Sequence, residues 1–324
     1  MIPHRRFQRS LFGLAAAALA LLTLGRSGAT AGLTISTDFP GGSAEVVAVD
    51  DSAGTLHIRP ALREGRGWPC WWYLRVDGAT AGQSITLQVS GNPGPFRPGG
   101  AALAANWAQP LRASISADDR TWTQTSDGAI DPATKTATYP VTAPAERFWL
   151  AWGPPFLPSH GDDLLSHAAE AVPSSEIFTL ATTKQGHPVK GIRIGPDDRP
   201  QAIWVQARQH AWEAGGSWVG RGFLEWACGD TSLAQRLRAD TTVYFIPIMD
   251  VDNVLLGAGG KEAVPRDHNR DWAEPPGYPE VAAAQARLAA LDKAGRLRLF
   301  VDLHNPGPGD KQPFFFGPFD YESM

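Results

Sequence analysis

Short runs in which apolar and polar residues alternate fill the chain from Leu33 to Trp152: 45–49, 55–59, 71–76, 84–90, 111–116, 136–141 and 148–152. A period of two belongs to a strand with one buried face. Gly91-Asn92-Pro93-Gly94-Pro95 and Arg97-Pro98-Gly99-Gly100 supply turn chemistry between runs. Seven such strands predict an antiparallel β-sandwich domain over residues 32–152.

Beyond residue 176 the pattern changes. Residues 177–182 and 189–194 read as a hairpin around Gln185-Gly186-His187-Pro188, and strands then alternate with helices. A strand at 203–207 precedes a helix at 217–226 that starts on Ser217, and a strand follows at 242–248. A helix at 279–294, with Val281, Ala284, Leu288 and Leu291 on one face, leads to a strand at 297–302. This alternation predicts an α/β domain over 176–324 with a mixed, largely parallel sheet. Residues 153–175 read as a Pro-rich linker, which puts His160 and His167 in solvent with no metal role.

The first 31 residues stand apart from both domains. A basic start (His4-Arg5-Arg6, Arg9), an apolar stretch from Leu11 to Leu24 and the small residues Ala29-Thr30-Ala31 make a signal peptide. The mature chain is expected to be secreted or periplasmic and to begin near Gly32, with no membrane span after cleavage; an uncleaved anchor is the competing reading. A net charge of -4 gives no electrostatic case for nucleic acid or an anionic membrane surface. Cys70 and Cys228 fall in different predicted domains, and spacing leaves open whether they pair or stay as buried thiols. Trp68, Trp71, Trp72, Trp107, Trp122, Trp149 and Trp152 fit sugar stacking, or the filling of a sandwich core and domain seam.

Three polar clusters carry candidate chemistry: His210 with Glu213, the run Asp267-His268-Asn269-Arg270, and Asp302-Leu303-His304. A lone His-x-x-Glu is ordinarily a surface pair. Here each cluster follows the carboxyl end of a predicted strand, the edge at which α/β sheets gather their ligands. His210 and Glu213 can close on one zinc ion if His304 arrives as the third ligand, leaving a coordination position open for water. Asn269 and Arg270 suit a carboxylate, against the plainer alternative of a salt bridge from Arg270 to Asp267 or Asp271.

Taken in order, His210-Ala211-Trp212-Glu213, Pro247-Ile248-Met249-Asp250-Val251-Asp252-Asn253-Val254, Asp267-His268-Asn269-Arg270 and Asp302-Leu303-His304 resemble the M14 zinc carboxypeptidases. The likeness is to their cytosolic-carboxypeptidase-like branch, which carries a β-sandwich ahead of the peptidase domain. It implies Zn2+ held by His210, Glu213 and His304, with Asp267 orienting His210 through its other ring nitrogen. It also implies a peptide or protein C-terminus as substrate, its free carboxylate held by Asn269 and Arg270, and its C-terminal peptide bond hydrolysed.

The sequence departs from the family in three places. Gly260 stands where the family has an oxyanion-steadying arginine, with Lys261 as a weak substitute. The family's general-base glutamate lies well downstream of the third ligand, and the only glutamate after His304 is Glu322, in a different context. The expectation is therefore a carboxypeptidase chain truncated before its general base. Two alternatives are a protein that binds zinc and peptide ends without cleaving them, and a zinc amidohydrolase acting on N-acyl amino acids. His268 replaces an apolar family residue and receives no role.

Overall fold

Strand alternation builds the first layer pair of the computed structural model, which describes residues 32–308, 310 and 312–315. The expected signal peptide, residues 1–31, and Glu322 lie outside the described residues. One sheet has the order β1-β4-β10-β6-β7, from Thr34–Ser36 (β1), Tyr73–Asp77 (β4), Ser114–Ser116 (β6), Thr123–Gln124 (β7) and Phe148–Ala151 (β10). The other has the order β2-β3-β5-β9-β8, from Glu45–Asp50 (β2), Thr55–Arg59 (β3), Ser84–Val89 (β5), Ala129–Asp131 (β8) and Thr136–Thr142 (β9). Leu56, Ile58, Ile85, Leu87, Val89, Tyr139 and Val141 alternate inward to meet Trp72, Leu74, Val76, Phe148 and Leu150 from the facing sheet. At about 1.5–3 kcal/mol for each large side chain buried, this core is the main force holding the two sheets together.

Seven strands were expected, and the three extra ones, β1, β7 and β8, are two or three residues long, too short to show a period. Pairing is antiparallel except between β3 and β5, which run parallel.

The proline-rich crossing contains a helix, α1 (Pro158–Ala171). Pro158 occupies its first turn, where a missing N–H costs nothing, so a residue that reads as a breaker is a helix start. Leu164, Leu165 and Ala168 of α1 are buried. His160 is not in open solvent as expected: its ring lies 5.8 Å from Phe156 and 6.3 Å from Trp218, and its Nδ1 accepts the Leu157 N–H at 2.9 Å. His167 is exposed.

The second sheet has the order β11-β12-β14-β13-β15, from Glu176–Thr182 (β11), Pro188–Ile194 (β12), Gln201–Ala207 (β13), Thr241–Ile246 (β14) and Leu297–Leu303 (β15). β13 runs parallel to both neighbours, while β11, β12 and β14 pair antiparallel, giving the expected mixed sheet. Every residue of β14 and all but the first of β13 are buried, as strands covered on both faces must be.

Helix α2 (Ala214–Cys228) begins three residues before Ser217, the expected start. Its early glycines serve close packing rather than a turn. A Cβ at Gly216 would stand 2.6 Å from the Leu303 carbonyl oxygen, and one at Gly220 2.8 Å from the Phe245 ring. The Ser217 hydroxyl donates to the Pro247 carbonyl at 2.8 Å. Two short helices, α3 (Ser232–Asp240) and α4 (Val251–Leu256), lie where no clear period marks them. Helix α5 (Pro279–Lys293) buries Val281, Ala284 and Leu291, as its spacing predicts.

Sandwich and α/β layers form one compact unit from Gly32 onward. The indoles of Trp107 and Trp152 pack edge-on against Trp212, at 6.1 and 5.3 Å, and Trp71 and Trp72 are buried. Most of the tryptophan cluster therefore fills core and seam. Cys70 and Cys228 are separate, buried thiols.

Candidate metal centre

Parallel register decides what can meet at the sheet's carboxyl edge. Gln206 of β13 lies opposite Asp302 of β15 and Ile246 of β14, so the loops after all three strands leave from one level. His210 and Glu213 occupy the first loop, the second leads into α4, and His304 begins the third.

The first loop turns sharply at Arg208, whose φ is +64°. Its buried guanidinium donates to the carbonyls of Phe156 (3.1 Å) and Ala211 and so braces the turn from inside. His210 and Glu213 come out of the turn 1% and 3% exposed, burial that is costly for polar groups without partners.

They find those partners in each other. His210 Nδ1 lies 2.8 Å from Glu213 Oε1, and His304 Nδ1 lies 2.8 Å from Glu213 Oε2. One ligand atom from each of the three falls within 4.8 Å of the others. Behind the imidazoles stand two more carboxylates. Asp302 Oδ2 is 3.0 Å from His304 Nε2. Asp267 Oδ2 faces His210 Nε2 at 3.6 Å, an ion-pair distance outside hydrogen-bond reach, and accepts the Glu262 N–H at 2.8 Å.

Three carboxylates around two imidazoles leave the site short of positive charge. Burial acts to raise the Glu213 pKa, but hydrogen bonds from His210 and His304 outweigh it and bring it to about 2. Burial acts to lower that of His304, but Asp302 and Glu213 outweigh it and lift it to about 10; Asp267 and Glu213 likewise raise that of His210. Asp267 is held at about 2 against its own burial by His210 and the Glu262 N–H. A divalent cation meets the same charge deficit. Two imidazole nitrogens turned to the same side as one carboxylate, each backed by a second carboxylate, form a donor set that fits zinc.

Further out, Asn269 and Arg270 sit on a single 3-10 turn, His268–Arg270. Arg270 is exposed, the one hydrogen bond of its guanidinium among the described residues running to the Asn269 carbonyl at 3.2 Å. The salt bridge to Asp271 is made by Arg266 instead, at 2.5 Å. Arg270, Asp267, Arg266, Lys261 and Arg97 of the sandwich line one cleft.

Lys261 holds its ammonium 5.2 Å from the centre of the Trp68 ring. Its neighbour Gly260 has φ +76°, and a Cβ there would stand 2.7 Å from the Ala211 amide nitrogen and 2.6 Å from Asp250 Oδ2. The backbone thus excludes an arginine at 260.

His268, which received no role, is 2% exposed and clamped: Nε2 is 2.6 Å from Glu280 Oε1, Nδ1 3.6 Å from Asp250 Oδ2, and the ring stacks on Tyr278 at 3.9 Å. A lone histidine beside the Asn-Arg pair carried no signal, since its acidic partners come from α5 and the β14 loop.

Comparison with known proteins follows the same division of the chain. Residues 35–152 match the cytosolic carboxypeptidase N-terminal domain, and residues 162–274 match the zinc carboxypeptidase domain. The second match includes His210, Glu213, Asn269 and Arg270; His304 lies beyond it.

A protein of Zymomonas mobilis is 26% identical over 277 residues, 84% of this chain and 67% of that protein. Mouse cytosolic carboxypeptidase 3 is 31% identical over 122 residues, 37% of this chain, and the match spans only 12% of the mouse protein's length. The fold is that of a metallo-carboxypeptidase from Burkholderia cenocepacia, with a TM-score of 0.70 at 23% identity over 85% of this chain and 70% of the other. A metallo-carboxypeptidase from Pseudomonas aeruginosa gives 0.68 at 23% identity, over 84% and 69%. With both domain matches in sequence order on one chain, the protein belongs to the zinc carboxypeptidase family, carrying the cytosolic carboxypeptidase N-terminal domain ahead of its peptidase domain.

Proposed function

We propose that this chain serves as a zinc metallocarboxypeptidase, removing the last residue from a peptide or protein with a free C-terminus. The convergence of His210, Glu213 and His304 within 4.8 Å, beside a turn that presents Asn269 and an exposed Arg270, carries the reading. His210, Glu213 and His304 hold the metal, whose contribution is to activate water and polarise a carbonyl. Asp302 fixes the His304 tautomer and Asp267 steadies His210 by charge. Arg270 offers a planar fork and Asn269 an amide, which together select a terminal carboxylate.

Lys261, which lines the same cleft, is the cation assigned to steady the oxyanion as charge builds on the carbonyl oxygen. In the net reaction the water oxygen joins the carbonyl carbon, the C–N bond breaks, and the departing nitrogen takes a proton. The basic start and apolar stretch within residues 1–31 support a leader, and with it an activity outside the cytoplasm, secreted or periplasmic.

The test is to offer the zinc-loaded protein a short peptide with a free C-terminus, the same peptide as its C-terminal amide, and an N-acyl amino acid. Release of the terminal amino acid from the free peptide is expected, slowed by the lack of the family's general-base glutamate but exceeding release from the amide. Equal turnover of the amide, or turnover of the N-acyl amino acid alone, overturns the assignment.

A further inference from the structure

Gln209, next in sequence to His210 and 1% exposed, is a buried amide whose partners come from β15 and from the segment between α4 and α5. Its Oε1 accepts the Trp272 indole N–H at 2.6 Å. Its Nε2 donates to Asp302 Oδ2 and, at 3.5 Å, faces Asn269 Oδ1. An indole can only donate and an ionised carboxylate can only accept, so these neighbours admit one orientation of the amide.

Asp302 Oδ2 receives Gln209 on one side and His304 Nε2 on the other, at 3.0 Å. A carboxylate that accepts a hydrogen bond from Nε2–H keeps the proton on that nitrogen and leaves the Nδ1 lone pair of His304 for the metal. Held only by the imidazole, Asp302 could rotate; the amide denies it that freedom, and Trp272 denies the amide a flip. The contact to Asn269 Oδ1 also leaves the Asn269 NH2 group turned away from Gln209.

We propose that Gln209 is a positioning residue for the metal centre, orienting His304 through Asp302. This rests on the zinc reading of the site. Removing the amide donor frees Asp302 and with it the imidazole, so the effect appears in zinc affinity before any turnover is measured.

The experiment compares zinc dissociation constants, by chelator competition on the full chain, for wild type, Gln209→Leu, Asp302→Asn and the double variant. Gln209→Leu is expected to weaken zinc about tenfold or more, the scale seen for partners of ligating histidines. Combined with Asp302→Asn it should add no more than about twofold, because both changes break one relay. A packing role alone would multiply the two losses. Should Gln209→Leu fail to fold, Gln209→Glu keeps the shape but sets an acceptor against Asp302, and the same loss is expected. Wild-type affinity in the folded Gln209 variant, or multiplied losses in the double variant, overturns the relay while leaving the metal centre standing. No zinc uptake by wild type overturns the metal centre and the relay together.

Discussion

His210 and His304 present their Nδ1 atoms to opposite oxygens of Glu213, each at 2.8 Å, so one carboxylate aligns imidazoles from two parallel strands. Removing either imidazole takes away one of three donors and leaves Glu213 buried without one of its two imidazole partners. His210→Ala and His304→Ala are each predicted to lose stoichiometric zinc, whereas His160→Ala, whose ring sits against Phe156 and Trp218, should keep it. Metal analysis of the purified proteins decides; one zinc per chain in His210→Ala would contradict the ligand set.

Arg270→Lys keeps the charge but gives up the fork. If the terminal carboxylate is gripped at two points, KM for a free-ended peptide should rise about tenfold or more, in line with the 1.5–3 kcal/mol of a hydrogen bond to a charged group. Zinc content should not change, since Arg270 touches none of the ligands. Steady-state kinetics beside metal analysis checks both halves, and an unchanged KM would remove Arg270 from the clamp.

Burial acts to lower the pKa of His268, but Asp250, the Glu280 hydrogen bond and Asp271 outweigh it and hold it above the ordinary histidine value. A folded-state pKa above the unfolded one contributes stability that is full below the unfolded value of 6.5 and is lost as pH rises through the folded value. His268→Phe should therefore cost about 3 kcal/mol at pH 6, the scale for leaving a buried charge unpaired, with the gap to wild type narrowing at alkaline pH. Denaturant unfolding of both proteins across that range measures it; a gap independent of pH would mean that His268 is neutral.

A methyl group at Gly259 would collide with the Trp68 carbonyl oxygen, where two backbones lie in contact. Gly259→Ala is expected to destabilise the protein by about 1–3 kcal/mol, the range for strain that the surroundings cannot relieve. Its denaturation midpoint checks this, and a wild-type midpoint would show that the seam yields.

The long periodic elements were legible in the sequence because one periodicity dictates both their structure and their burial: β3, β5, β9, β13 and α5 fall within a residue or two of where the alternation puts them. Helix α1 was hidden because Pro158 and its proline neighbours read as a linker, and α3 and α4 because their packing faces are short. At the site, His210, Glu213, Asn269, Arg270 and His304 stood out as chemical types at strand ends. Gln209 and His268 did not. Each depends on partners brought in by other elements, and no spacing along the chain announces Trp272 beside Gln209 or Glu280 beside His268.

The seam between the domains has a consequence of its own. Trp68 N–H bonds to the Lys261 carbonyl at 3.0 Å, Gly260 N–H to that of Arg66 at 2.9 Å, and Val264 N–H to that of Gly65 at 2.9 Å. Main chain from the sandwich thereby borders the loop that bears Lys261 and leads to Asp267. The leading domain is thus a wall of the cleft that Lys261 and Arg270 line rather than a detachable accessory. Exchanging it for a relative's sandwich would disturb the loop unless residues 65–68 and 257–264 travelled together, so the two modules are bound to diverge in step.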